Sequence, residues 1–80
     1  MARITELARS TGASVDEIRY LEAKGFIESV RVRVHTRRVR EYRESDAQKV
    51  KTIIKFRRQG FTWDAAFGKA MKELENPTLF

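Results

Sequence analysis

Val30-Arg31-Val32-Arg33-Val34-His35-Thr36-Arg37-Arg38-Val39-Arg40-Glu41-Tyr42-Arg43 is the stretch that decides the fold, with six arginines, four valines and a single acid. Valines 30, 32 and 34 alternate with arginines 31 and 33. That is the period of two that gives a β-strand one apolar and one cationic face. With His35 and Thr36 as the turn, antiparallel pairing sets Val34 opposite Arg37, Arg33 opposite Arg38, Val32 opposite Val39 and Arg31 opposite Arg40. Arg31, Arg33, Arg38 and Arg40 then share one face of the ribbon. Like charges held that close repel one another unless something anionic lies against them, and Glu41 is the only acid inside the stretch. The hairpin therefore predicts a polyanionic partner, most simply a phosphate backbone; the bland alternative is a solvated, ion-paired surface.

The chain around this hairpin is short. Its 80 residues support one domain with a small core, near the size at which burial barely offsets chain entropy. Cysteine is absent, which excludes a disulfide framework and a Cys-ligated metal and fits a reducing compartment. The N-terminal MARITELARS is charged where a signal peptide is apolar, and no run approaches membrane-spanning length. The expectation is a cytoplasmic, nucleoid-associated protein with no membrane partner. The net charge of +6 is unevenly spread: residues 1–28 carry a net −1, residues 29–60 a net +8 and residues 61–80 a net −1. A positive field localised in this way concentrates polyanions and speeds encounter with them. A membrane surface is a poorer match, because the basic stretch alternates as a strand instead of presenting an amphipathic helix.

Upstream, Ile4, Leu7 and Ala8 fall on one face of a short first helix, with Thr5 as its expected N-cap and Gly12 as its end. Ser14-Val15-Asp16-Glu17 reads as a capping box opening a second helix, which Ile18 and Leu21 point inward. Gly25 supplies the left-handed residue that ends it, and Phe26 and Ile27 fold back as apolar plugs. Two short helices joined by a tight turn are the helix-turn-helix pattern. Downstream, Ala47, Val50, Ile53, Ile54 and Arg57 mark a third helix that ends at Gly60, with a basic outer face from Lys49, Lys51, Lys55 and Arg58. Thr62 caps a fourth, whose inward residues are expected to be Trp63, Ala66, Phe67, Ala70, Met71 and Leu74, with Pro77 closing it. Phe56, Trp63 and Phe67 follow helical periodicity and read as packing between helices three and four. The fold expected is a mainly α winged helix-turn-helix: four short helices and one two-stranded wing, forming a domain over residues 1–76 with a loose tail at 77–80.

Ile4-Thr5-Glu6-Leu7-Ala8, then Arg19-Tyr20-x-Glu22-x-x-Gly25-Phe26-Ile27, Arg40-x-Tyr42-x-x-x-Asp46 and Gly60-Phe61-Thr62 stand in the order and spacing of one known family. Together they resemble the winged-helix DNA-binding domain of the MerR family over nearly the whole chain. The resemblance implies that helix two enters the major groove, that Arg19 and Tyr20 lie against the sugar-phosphate backbone, and that the arginine hairpin is the wing flanking the site. The sequence departs from the family pattern in having Glu17 where Thr is usual, Leu21 where a second Tyr is usual and Arg38-Val39 where Gly-Tyr is usual. No Gly or Asn supplies the positive φ that a tight hairpin turn prefers. The resemblance does not extend to the long dimerisation helix and effector region of such regulators, so neither ligand sensing nor that mode of dimerisation is carried over. The chain is expected to be a monomer in solution that forms a dimer or an array on DNA.

The candidate DNA-binding residues are Val15, Asp16, Arg19, Tyr20, Arg31, Arg33, His35, Thr36, Arg37, Arg38 and Arg40. Arg19 alternatively pairs with Glu22 or Asp16 on its own helix. Asp16 either accepts a hydrogen bond from cytosine N4 in the major groove or simply stabilises the helix N-terminus through the dipole. Tyr20 and Tyr42 are either contacts or core residues with a wet hydroxyl. His35 is the only histidine; with no cysteine or positioned nucleophile beside it, it makes neither a metal site nor a triad. No metal cluster or Gly-rich phosphate loop is present, so no cofactor and no enzymatic activity are expected. The partner expected is double-stranded DNA, bound by a sequence-specific regulator of transcription. The alternative is an architectural DNA-binding protein of the excisionase or phage DNA-packaging type.

Overall fold

In the computed structural model, which describes residues 1–75, α1 (Ile4–Thr11) and α2 (Val15–Ala23) are followed by the strands β1 (Ser29–Val34) and β2 (Arg37–Tyr42), and then by α3 (Glu44–Arg58) and α4 (Trp63–Glu75). This is the mainly helical winged helix-turn-helix that the patterning predicts. The expected closure at Pro77 and the tail at 77–80 lie outside the described residues.

Three helix ends follow the local chemistry of the sequence. The Ser14 hydroxyl accepts from the Glu17 N–H at 3.0 Å, and the Glu17 carboxylate accepts from the Ser14 N–H at 2.8 Å, completing the capping box of α2. Gly25 takes φ +81° at the other end, and the N–H groups of Gly25 and Phe26 donate to the carbonyls of Glu22 and Leu21 at 3.0 and 2.9 Å. This pair of hydrogen bonds, made possible by the left-handed Gly25, closes the helix and turns the chain toward the hairpin. At α4, the Thr62 hydroxyl accepts from the Ala65 N–H at 3.2 Å.

The start of α1 differs from the expectation placed on Thr5. Arg3 is the N-cap, Thr5 lies inside the first turn, and the Glu6 carboxylate accepts from the Arg3 N–H at 3.4 Å. The reason is non-local. Ala2 forms an isolated antiparallel bridge with Tyr42 through two backbone hydrogen bonds of 3.0 and 2.7 Å, so the chain leaves the sheet at Ala2 and enters the helix immediately.

The core forms where the helices meet the base of the hairpin: Leu7, Ile18, Leu21, Ile27, Tyr42, Val50 and Ile53 are all essentially inaccessible. Leu21, which replaces a tyrosine of the family pattern, is one of them. Val50, Ile53 and Ile54 are the buried stripe of α3, and Ala66 and Ala70 that of α4. Leu74 is not part of it. It is 37% exposed, one turn beyond Ala70, the last buried residue of α4. Phe67 also differs from expectation, stacking on Phe26 at 4.1 Å between ring centroids, whereas Trp63 meets Arg57 of α3 as expected and in addition Tyr20 of α2, at 5.1 Å. Phe56 instead packs edge-on against Phe61, 6.0 Å away.

The hairpin has the register expected from the alternation, from Ser29 opposite Tyr42 to Val34 opposite Arg37. Its turn is His35-Thr36, and His35 alone among the non-glycine residues described takes positive φ, +57°. A left-handed backbone costs an ordinary side chain roughly 1–2 kcal/mol, and Asn tolerates it better. Replacement of His35 by Asn is therefore expected to raise unfolding stability by roughly 0.5 kcal/mol, read as a higher urea midpoint at unchanged m-value. A lower midpoint would show that the turn does not require this backbone.

Candidate nucleic-acid interface

Each side of α2 has a distinct task. Ile18 and Leu21 face the core, while Asp16, Arg19, Tyr20 and Ala23 form an exposed stripe at helical spacing. Val15, in the first turn, is half-buried. Tyr20 remains 39% exposed, with its ring tilted against Trp63, whose other contact is the Arg57 guanidinium 4.9 Å from the ring centroid. Tyr20 is thus an outward residue braced by an aromatic neighbour, unlike the fully buried Tyr42.

The third side of α2 meets the wing. Alternation along the strands puts Ser29 and Tyr42 on the same face as Arg31, Arg33, Arg38 and Arg40, at the base of the ribbon. There the Glu22 carboxylate accepts hydrogen bonds from the Tyr42 and Ser29 hydroxyls, each at 2.7 Å, and lies 3.5 Å from the Arg40 guanidinium. Arg19, Glu22, Ala23 and Arg40 line one open groove between α2 and β2. Arg19 and Ala23 of the exposed helix stripe and Arg40 of the cationic face therefore border the same groove.

The other wing residues extend from this groove toward the tip. Arg31, Arg33, Arg38 and Arg40 are exposed, as expected for the cationic face. Arg37, paired with Val34, belongs to the opposite, valine-bearing face; with His35, Thr36 and Arg3 it lines a separate hollow at the tip. At about 3.3 Å per residue, the tip stands roughly 17 Å from the strand base. Of the predicted residues, Arg19 and Arg40 therefore line the groove at the base of the wing and His35, Thr36 and Arg37 the hollow at its tip, while Val15, Asp16, Tyr20, Arg31, Arg33 and Arg38 line neither.

Two expectations about ion pairing are revised. Glu41, the one acid in the hairpin sequence, stands opposite Val30 on the other face and does not meet the arginine row. The acid that does is Glu22, far along the chain and brought in by the fold. Arg58, exposed on α3 as expected, is not free there: it reaches the helix-turn-helix turn, donating to the Gly12 carbonyl at 3.0 Å and lying 3.5 Å from the Glu17 carboxylate. Glu17, unusual for the family pattern, thus both caps α2 and holds Arg58. Lys55 is also engaged, bridging to Glu73 at 2.9 Å.

Sequence reasoning missed Glu22, Ser29 and the hydroxyl of Tyr42 as a group. One signal was present: Ser29 and Tyr42 share strand parity with the arginines, so the cationic face had to end in two hydroxyls. The acid that receives them lies on a different element, and its place in the helix-two motif does not reveal that it meets the strands.

Burial alone would raise the Glu22 carboxyl, but hydrogen bonds from Tyr42 and Ser29 and the charges of Arg40 and Arg31 outweigh it and hold the group below the ordinary glutamate value. Burial, together with the hydrogen bond to Glu22 and its charge, pushes the Tyr42 phenol up to about 12. A carboxyl depressed on folding contributes stability above its unfolded pKa, and this is lost as pH falls through its folded pKa. Glu22→Gln is therefore expected to be less stable than the parent at pH 7, with the gap closing as pH falls below the ordinary glutamate range of about 4. Urea unfolding at a series of pH values reads this; a gap independent of pH would sink the assignment.

Among the described residues, no group of acids and histidines is placed to hold a metal ion, and no helix is long and apolar enough to cross a membrane. No curated protein matches the chain. A family model does: residues 2–68 match the one described as "MerR HTH family regulatory protein". The matched span runs from the bridging Ala2 through both helices of the turn motif, the wing and α3 into α4, and the chain therefore belongs to the MerR HTH family of DNA-binding regulatory proteins.

Proposed function

We propose that the chain is a sequence-specific double-stranded DNA-binding regulator of transcription, acting as one unit over residues 1–76. In this reading α2 lies in the major groove and the wing runs along the backbone or into the adjacent minor groove. The observation that carries the reading is the shared groove: Arg19 and Ala23 of the exposed α2 stripe and Arg40 of the cationic face line it together. Val15 and Asp16, in the first turn of α2, face base edges, where Asp16 accepts from cytosine N4. Arg19 and Tyr20 hold the backbone on one side, and Arg31, Arg33, Arg38 and Arg40 neutralise phosphates on the other, fixing register while the helix reads sequence. His35, Thr36 and Arg37, at the tip, reach the flank of the site, where arginine reads a narrow A·T-rich minor groove by shape.

Selection of bound sequences from random duplexes tests the function directly. A single recurring site supports a sequence reader, and a palindrome within it implies a symmetric dimer on DNA. Adjacent repeats filled cooperatively would favour an architectural role, and no enrichment would overturn the reading.

The residue assignments carry their own test. Arg19→Ala combined with Tyr20→Phe is expected to weaken binding to the selected duplex by roughly 1–3 kcal/mol while leaving the fold intact, because both side chains are exposed. On the wing, log K should fall with log salt at about −0.9 per phosphate neutralised, so removing Arg31, Arg33 and Arg38 together should flatten the slope by about three units. Equal slopes for parent and triple variant would make the cationic face a solvated surface.

We also propose that the 80-residue chain is a monomer without DNA, since the buried alanines of α4 are spent on its own core. Sedimentation at micromolar concentration should give the monomer mass. A stable dimer would instead point to the half-exposed Trp63 and Met71 as an interface.

A further inference from the structure

The carboxylate of Glu22 is out of place on a surface assigned to a polyanion. It sits on the groove wall between two arginines of the candidate interface, Arg19 and Arg40, where a negative charge repels phosphate. A residue that merely stabilised α2 would need no such position. What distinguishes Glu22 is its partners: it receives one hydroxyl from each strand, Ser29 from β1 and Tyr42 from β2, at 2.7 Å each, and lies 3.5 Å from Arg40 on the next same-face position of β2. Its side chain is only one-fifth exposed, whereas that of Arg40 is about half exposed.

We propose that Glu22 is a positioning residue for DNA binding: it fixes the wing to α2 through the two strand hydroxyls and orients Arg40 so that Arg19 and Arg40 grip one backbone phosphate in the groove between them. The inference rests on the reading of α2 and the wing as the DNA interface. Two strands held to one carboxylate cannot swing independently of the helix, so the distance between the helix stripe and the arginine row is set before DNA arrives. Arg40 is also restrained beforehand, which lowers the entropy lost when it meets a phosphate. The guanidinium has five N–H donors, so it can keep its contact with Glu22 while presenting its outer edge to phosphate oxygens.

Simple electrostatics and positioning make opposite predictions for one variant. Glu22→Gln removes a negative charge from the interface, and charge alone would tighten binding. Positioning requires the reverse. Binding of the duplex obtained by selection should be measured by fluorescence anisotropy for the parent, Glu22→Gln, Arg40→Ala and the double variant. Glu22→Gln is expected to bind about fivefold more weakly despite its added positive charge. Arg40→Ala should cost the parent about tenfold but the Glu22→Gln background less than about twofold, the non-additivity expected of residues acting as one unit. Glu22→Gln binding as tightly as the parent or more so, or Arg40→Ala costing the same in both backgrounds, would overturn the proposal.

Should Glu22→Gln fail to fold, Tyr42→Phe and Ser29→Ala remove the two donors one at a time without altering charge. Residual dipolar couplings of the hairpin amides relative to those of α2 then read the wing angle. A widened spread of angles with weaker binding supports positioning, and unchanged couplings overturn it. Failure of the underlying interface is separately visible. If neither Arg19→Ala nor Arg40→Ala alters binding, the groove is not where DNA sits, and the proposal falls with it.

Discussion

A single carboxylate decides how the two halves of this small protein are set against each other. Glu22 projects from the last turn of α2 and takes the hydroxyls of Ser29 and Tyr42 on either strand of the hairpin. A two-stranded hairpin is marginal by itself, so its stability and orientation have to come from what its base is attached to. Here the base is attached three times over. Tyr42 is buried in the core with 1% of its surface exposed, its backbone pairs with Ala2 in a short extension of the sheet, and its hydroxyl ends on Glu22. Hydrophobic burial holds the residue in place, and the directional bonds set its angle.

The helix-turn-helix is buttressed from the opposite side by a comparable device. Arg58, at the end of α3, spans to the turn between α1 and α2, where it meets both a free carbonyl and the capping glutamate of the second helix. The pair is partly exposed, and an exposed pair contributes little to stability, on the order of 0–1 kcal/mol. Its effect is geometric. The turn is held between a helix cap and a guanidinium, so the start of α2, where Val15 and Asp16 lie, is fixed relative to α3. Tyr20 is braced in the same way by Trp63, itself covered by Arg57.

What could be read from the sequence divides along the range of the interactions involved. The hairpin register, the capping box at Ser14, the left-handed stop at Gly25 and the inward faces of α2 and α3 all follow from residues within a few positions of one another, and the structure has each of them. The departures share a different cause. Arg3 replaces Thr5 as N-cap because Ala2 pairs with a strand forty residues away in sequence. Arg58, though exposed as expected, donates to a carbonyl 46 positions distant. Trp63 meets Tyr20 of α2 as well as Arg57 of α3, and Phe67 stacks on Phe26 beyond the end of α2, contacts that helical periodicity alone cannot reveal. At the candidate site the individual arginines were legible, but their acid partner was not: Glu22 stood in the helix-two motif, yet nothing in the residues around it says that the fold carries it to the base of a strand pair.

Charge is balanced along the wing in a graded way, and the grading bears on how such a surface stays stable without a ligand. At the base, Arg40 has Glu22. Farther out, Arg33 and Arg38 stand directly opposite each other across the ribbon, and among the described residues no acid pairs with them. Cross-strand like charges cost up to about 1 kcal/mol, a cost offset on the reverse face by the half-buried valines 32, 34 and 39. A second acid near the tip would relieve the repulsion, but it would also cancel the field that draws a polyanion in. Anchoring at the base and unbalanced charge toward the tip are compatible because they are separated along the strands: the orienting carboxylate is one-fifth exposed against the core, while the uncompensated guanidinium groups extend into solvent.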